Sequence, residues 1–427
     1  MGKIILFFLF ICNAGYSLVH PWVGITVGYL FNILGPQYIW WWNFQGLRPF
    51  YLIAWPTIAG FFLASLRGVI NFEIIKNKQV LFAILYFLFV FLSYFWGPYV
   101  DVVNKWRFSD PYQVLIGMLK IFIFFFIGLC CISDENKVKI FTCVFLIAVI
   151  YLTYWANIQY LSGKFFLRLR GPADLSGSGL YSDENNFSML FVVGIPFLFY
   201  LGWFFKQWYL RWCLWLAVPF AWHAVFLTAS RGGLVGAAFV SVFMGFRCPK
   251  KVIGLMLISA FIFAYVWQGG ALLKSRAKHI KNFEQESSSR TRLEAWDAGL
   301  HMMLAHPFTG VGVGSFGQAF PYFSDRHPRV AHNTFIQIAA ESGVLACLFY
   351  VLFMCNCIWT LFKKRDKFTK GSLCYYLSDA TLVALCGFLI CALFLTLYGF
   401  EVQFYLAILA NSLGYLATKN FLDEENR

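Results

Sequence analysis

Charge is what this sequence has least of. Only 13% of its 427 residues are Asp, Glu, Lys or Arg, against roughly 25% in soluble domains. A water-soluble globule with a charged shell is therefore excluded. No Gly-Lys-Ser or Gly-Lys-Thr closes a glycine loop, which removes the usual nucleotide-driven pump. No Asp-x-Asp and no His-x-x-x-His occurs in the polar connections, so neither a carboxylate-held nor a histidine-held metal is signalled. Ten of the twelve cysteines (Cys12, Cys130, Cys131, Cys143, Cys213, Cys347, Cys355, Cys357, Cys386, Cys391) sit in apolar runs, and Cys248 and Cys374 in short basic connections. None falls in the one long polar segment, which leaves no disulfide framework and no Cys-based zinc site. No A-x-A-like site follows residues 4–19, so that stretch reads as a first span rather than a removable leader.

What the chain has instead is apolar length. It is 60% hydrophobic, with runs at 4–19, 20–40, 50–68, 79–98, 111–132, 138–158, 186–204, 209–228, 232–247, 251–269, 332–362, 379–397 and 400–418. Repeated runs of about 20 apolar residues are transmembrane helices. The fold class expected is an all-α polytopic membrane protein.

The net charge of +14 does not indicate nucleic acid. Arg67, Lys76 and Lys78 share one connection and Lys137 and Lys139 another. Arg247, Lys250 and Lys251 fill a third, and Lys363, Lys364, Arg365, Lys367 and Lys370 a fourth. These alternate with less basic connections, as the positive-inside bias demands. With the basic connections inside, about twelve crossings follow, both chain ends lie inside, and residues 4–40 cross once as a kinked or re-entrant unit. Trp40, Trp41 and Trp42 then form an interfacial belt. Three regions result: a bundle over 1–269, an outer polar loop over 270–331, and C-terminal helices over 332–427.

Outer segments carry the candidate chemistry. Segment 159–185 holds Lys164, Arg168, Arg170, a Gly/Ser-rich turn and Asp183-Glu184-Asn185-Asn186-Phe187, which caps the next helix. The long loop starts basic (Lys274, Arg276, Lys278, Lys281). Thr291-Arg292-Leu293-Glu294 then reads as a capping box, and Leu293, Trp296, Leu300 and Met303 as the apolar face of the helix it opens. Arg290 and Arg292 would straddle that helix N-terminus, where the dipole also favours anions. Arg231 follows Ser230 and precedes Gly232-Gly233, glycines that leave room for a ligand to approach a diphosphate-binding arginine. Gly312-Val313-Gly314-Ser315-Phe316-Gly317 copies a dinucleotide fingerprint but lacks its βαβ context, and reads as a turn. His332 stands where the chain re-enters the membrane, and its imidazole can take a proton near neutral pH. Asn333, Gln337 and Glu341 follow at i, i+4 and i+8 of one helix face; such a polar stripe faces a bundle interior or a wet cleft, and Gln337 or Glu341 could orient the imidazole. The run 332–362 exceeds a bilayer's need by about ten residues, so its first turns stand in the outer layer, and Gly343 permits a bend or close contact.

Five pieces in order, Ser-Arg-Gly-Gly at 230–233, Arg-Leu-Glu-Ala-Trp at 292–296, His-Pro-Phe-Thr-Gly-Val-Gly at 306–312, His-Asn-Thr-Phe at 332–335 and Glu-Ser-Gly-Val-Leu at 341–345, resemble the O-antigen ligase and O-antigen polymerase superfamily across roughly residues 180–420. The resemblance implies a GT-C-type glycosyltransferase of the bacterial inner membrane, inverting and metal-independent, without a cofactor, with a large periplasmic helical loop and an active site facing the periplasm. The implied donor is a glycan on undecaprenyl diphosphate and, for a ligase, the acceptor is a sugar hydroxyl of lipid A–core. Arg231 and Arg292 match the family arginines that hold the diphosphate, with Arg290 as an alternative to Arg292, and His332 matches the catalytic histidine. Asn186 matches a family polar position only loosely. Asn333, Gln337 and Glu341 are supporting candidates from helix phase.

Three rivals differ in what they require. A polymerase shares the donor and extends another lipid-linked repeat, and a protein O-oligosaccharyltransferase uses a Ser or Thr hydroxyl. A transporter of polysaccharide-lipid would show internal repeats or paired broken helices; here polar groups crowd one face instead.

Overall fold

A computed structural model describes residues 2–164, 168–269 and 284–425. Among them every regular element is helical, as lipid requires of a chain whose backbone groups must pair within each span. Lys274, Arg276, Lys278 and Lys281 lie outside the described residues.

Each of the thirteen apolar runs forms a helix: α1 (Gly2–Val19), α2 (Pro21–Leu34), α3 (Pro49–Leu66), α4 (Lys78–Trp96), α5 (Pro111–Cys131), α6 (Glu135–Leu161), α7 (Glu184–Phe204), α8 (Trp208–Thr228), α9 (Arg231–Arg247) and α10 (Lys251–Ala264), then α12 (Thr334–Lys364), α13 (Leu373–Ala392) and α14 (Glu401–Glu425). Between them α11 (Glu284–Ala305) is the helix of the polar loop. Ten have the length and composition to cross a bilayer, α10 by virtue of a π turn that extends it. The three others, α2, α9 and α14, pack among the ten.

The first two helices depart from expectation. The Phe10 and Phe31 rings meet at a tilt with centroids 5.6 Å apart, Gly24 abuts Ser17, and Gly2 abuts Asn43. Thus α1 and α2 form an antiparallel hairpin, not one kinked crossing. Pro21 has no amide to continue α1 and His20 takes a non-helical conformation before it, which allows the turn. Packing of both helices on α3, with Gly24 against Thr57 and Gly60 against Ser17, makes it a reversal. Consequently α1 starts on the face opposite the end of α14, where both ends were expected on one face.

The Lys/Arg-rich connections do gather on a single face. There Asn71 bonds Tyr415 (2.7 Å) and Asn77 bonds Asn411 (2.7 Å), joining the start of α4 to α14. Arg247, Arg365 and the α13 residue Asp379 form a buried clamp: Arg247 Nε donates to Oδ1 at 2.8 Å and Arg365 Nε to Oδ2 at 2.9 Å. Two arginines read as topology anchors therefore also tie α9, α12 and α13 together. The opposite face carries residues 35–48, 97–110, 229–230, 306–333 and the described parts of 162–183.

At the centre of the bundle lies α7, with α8 and α13 against it. Close approach depends on small residues: Gly233 of α9 meets Ser188 of α7, and Gly232 meets Phe394. Those glycines thus admit α7 and the turn after α13, and the space beside them is filled by protein.

Helix α12 is broken. Gly343 has φ 85° and ψ 169°, so the amide of Val344 cannot reach Ala340. It donates instead to Pro307 O (2.8 Å), while Val311 N reaches Ala340 O (2.8 Å) and Gly312 N reaches Glu341 O (2.9 Å). The glycine-rich stretch fills the break, with Gly310, Gly312 and Gly314 all at positive φ; the turn reading of the fingerprint holds. Around this seam a small second core assembles from Ala295, Ala298, Met302, Val311, Phe316, Phe320, Ala331 and Ala340.

If the Asp379 clamp joins the three helices, Asp379→Ala strands two mostly buried guanidiniums and should cost about 3 kcal/mol. Thermal unfolding in detergent should show the loss, and an unchanged transition would contradict the clamp.

Candidate active site

Four segments meet where the second core touches the bundle. At the start of α7, the Asp183 side chain accepts from the amides of Asn185 (2.8 Å) and Asn186 (3.1 Å), so the acidic cluster caps a helix as its composition suggests. Glu184, the next residue, is buried. It pairs with Arg168 and, at 3.3 Å, with Arg170. Arg168 also donates to Thr228 O (3.3 Å) and to Asn185 (3.4 Å). These bonds draw the 168–183 loop over the α8–α9 junction, where Ala229 takes a left-handed conformation and Ser230 caps α9 through Gly233 N (3.1 Å). Arg231 is exposed there as the first residue of α9 and makes no salt bridge among the described residues. Asn186 is half-buried in the first turn of α7.

His332 is set by its backbone. Its φ is +48°, one of two positive values outside glycine among the described residues, and histidine is among the residues that tolerate this region. The preceding peptide is held on both sides. The Trp296 indole donates to Ala331 O (2.9 Å), and Ala331 N donates to Gln337 Oε1 (3.1 Å). Asn333 caps α12 through the amides of Phe335 and Ile336 (3.0 and 3.1 Å). Gln337 Nε2 donates to Glu341 at 2.6 Å, and Phe316 N reaches the same carboxyl at 3.3 Å. The polar stripe faces the protein interior, as expected. Its task differs: Gln337 and Glu341 hold backbone and each other, and neither bonds the His332 ring. The sequence could not reveal this because helix phase gives direction and not the partner.

Two readings of the long loop are corrected. The helix starts by Glu284, so Thr291 and Glu294 are interior and form no capping box, and Arg290 and Arg292 flank no helix N-terminus. Glu294 faces Arg290 (3.5 Å) and Arg326 (3.7 Å) instead. The packed face is Ala295, Ala298 and Met302, while Leu293 and Leu300 are exposed. Small residues win that face because α11 packs closely on the first turns of α12, where Gly299 abuts Ile336.

Charge distinguishes Arg292 from Arg290. Arg290 is turned to Glu294 and largely exposed. Arg292 is half-buried, and its pKa is lowered by burial and by the Arg231 guanidinium, against a smaller opposing pull from Asp183. The His332 imidazole is lowered first by burial and then by Arg292, with Asp183 opposing and Arg329 adding to the fall. Arg168 feels Arg292 as well. Arg168, Arg170, Arg231 and Arg292 thus stand together against Asp183 and Glu184, with a neutral-leaning histidine beside them. Four guanidiniums facing two carboxylates favour an anion. Among the described residues no group of three His, Cys, Asp or Glu converges in a way that could hold a metal. Arg168 and Glu184 escaped the sequence reading as partners, although the basic and acidic halves of one short loop are the signal of such a pair.

Residues 216–351, about a third of the chain, match the family model described as O-antigen ligase. This stretch of the chain is similar to the O-antigen ligase family. It begins within α8, takes in Arg231, α11, the glycine-filled seam and His332, and ends past the α12 break. No curated protein matches the chain. The match supports the resemblance to the O-antigen ligase and polymerase superfamily read from five motifs, and it does not separate ligase from polymerase. The Arg168–Glu184 pair lies outside the matched region.

The backbone at His332 separates fold from chemistry. Asn tolerates positive φ and a β-branched residue does not. His332→Asn should unfold with wild-type stability, while His332→Val should lose about 1–3 kcal/mol. Equal melting of the two would contradict the left-handed setting.

Proposed function

We propose that the protein is an O-antigen ligase: a glycosyltransferase that moves a glycan from undecaprenyl diphosphate to a sugar hydroxyl of lipid A–core. The observation that carries this reading is that His332 lies within the field of Arg292, and Arg292 within that of Arg231, inside the region similar to the O-antigen ligase family. The positive-inside bias supports a periplasmic placement of that face, and the lipid-linked donor of this reading supports the bacterial inner membrane.

The chemistry follows from the groups. Transfer breaks the bond between the anomeric carbon and the diphosphate oxygen, and charge grows on the leaving diphosphate. Arg231 and Arg292 oppose that charge with fixed positive groups in a partly buried cleft, where such contacts are strong. The acceptor hydroxyl attacks the anomeric carbon from the opposite side, inverting it, and His332 takes the hydroxyl proton. A general base contributes about 10²–10⁴ in rate. It must be neutral to act, and burial with Arg292 alongside favours the neutral form. Trp296 and Gln337 act through Ala331, holding the imidazole in place.

Purified protein given lipid-diphosphate glycan and lipid A–core should produce modified lipopolysaccharide. His332→Asn and Arg292→Gln should each lose at least about 100-fold in transfer. Full activity in either variant would remove its assigned role. Glycan lengthening on the donor lipid would make the protein a polymerase, and labelled Ser or Thr a protein O-oligosaccharyltransferase. No transfer at all would favour a polysaccharide-lipid transporter.

The pH profile adds a sign. With the His332 pKa depressed from its ordinary 6.5, the active neutral form persists below that pH and is lost only as pH falls through the lowered pKa. The acid limb of kcat/KM should therefore have its midpoint below 6.5. A midpoint above it would contradict a histidine base in this setting.

A further inference from the structure

A second cavity opens on the face that bears the candidate active site, and no motif or family match assigns it. It encloses about 380 Å³ beneath the turns that follow α2, and the 168–183 loop closes it. Tyr38, Trp41 and Phe44 give it aromatic walls, and Gln37, Gln45, Asp174 and Ser176 give it polar groups. No lysine or arginine lines it, so it is not a phosphate site.

Two polar atoms await a partner. Gln37 Oε1 is buried and unpaired among the described residues. Asp174 uses only Oδ1, which accepts from Ser176 N (2.9 Å), Ser176 Oγ (2.6 Å) and Ser178 N (3.0 Å), so Oδ2 is left to accept. The ligand class that offers several hydroxyl donors and also flat C–H faces for aromatic rings is a carbohydrate. The single carboxylate disfavours acidic sugars and suits neutral or amino sugars.

The cavity is wired to the active site by one loop. Arg168 and Arg170 at its start hold Glu184, Asp174 and Ser176 in its middle line the cavity, and Tyr181 near its end donates to Ile33 O at 2.8 Å. We propose that this cavity, built by Gln37, Tyr38, Trp41, Asp174 and Ser176, is a subsite for a sugar of the glycan substrate, remote from the bond that breaks. Identifying the occupant with a substrate rests on the transferase reading above; the carbohydrate chemistry of the cavity does not.

The test uses the full chain in nanodiscs and, as probe, the oligosaccharide released by mild acid from its lipid-linked donor, followed by saturation-transfer NMR. Binding should weaken roughly tenfold in Trp41→Ala and in Gln37→Ala, be largely kept in Trp41→Phe, and be unchanged in His332→Asn. In transfer assays, a raised KM for donor with kcat unchanged assigns the subsite to the donor glycan. A raised KM for lipid A–core assigns it to the acceptor's sugars. Wild-type binding by both alanine variants, or no binding by the wild-type protein, overturns the subsite. If the oligosaccharide binds through Trp41 and Gln37 but nothing is transferred, the transferase reading falls and the carbohydrate site stands.

Discussion

The break in α12 at Gly343 is the constraint on which the rest of the outer face depends. A helix that stops and restarts strands backbone groups, and inside a membrane protein each needs a partner. Here Ala340 O, Glu341 O and the Val344 amide are all taken by residues 307–312. The seam fixes the polar loop to the bundle with backbone bonds, which need no particular side chains. Glycine is required at both edges: a Cβ on Gly310 would lie 2.3 Å from the Glu341 backbone, and one on Gly343 2.4 Å from Phe308 O. Once the seam is closed, α11 lies along the first turns of α12, Trp296 reaches Ala331, and His332 is presented beside Arg292.

That arrangement also explains how a histidine works among arginines. Burial first, and the Arg292 guanidinium after it, make the His332 imidazole lose its proton more readily, so an arginine that would hold a diphosphate in the proposed reaction also favours the neutral ring. Asp183 moderates the effect without forming an ion pair with His332. Glu184 goes further, pinning Arg168 and Arg170, and Arg231 and Arg292 remain uncommitted to any carboxylate among the described residues.

Much of this was legible in the sequence. Every apolar run became a helix, because a run of that length in lipid has no alternative, and the basic connections gathered on one face. His332, Arg231 and Arg292 are far apart in the chain, yet Arg292 feels the Arg231 charge and His332 feels that of Arg292. What could not be read were partners. The polar stripe of Asn333, Gln337 and Glu341 was visible as a stripe, but its bonds to Ala331 and Phe316 depend on a loop folded back from far along the chain. Thr291 and Glu294 satisfied a capping pattern that a longer helix overrode. Gly232 and Gly233 signalled close approach correctly but not of what; Phe394 and Ser188 fill the space. The α1–α2 hairpin turned on a single proline whose effect, a kink or a reversal, only packing against α3 decides.

The account stands on one spatial claim: an anion site between Arg231 and Arg292, with His332 at the bond to be made. A cryo-electron microscopy structure of the protein with its undecaprenyl-diphosphate-linked donor tests it directly. The account predicts the diphosphate between the two guanidiniums and the anomeric carbon facing His332 across a gap that one acceptor hydroxyl can fill. A donor seated with its diphosphate on the opposite, Lys/Arg-rich face, or with His332 turned away from the anomeric carbon, would contradict it.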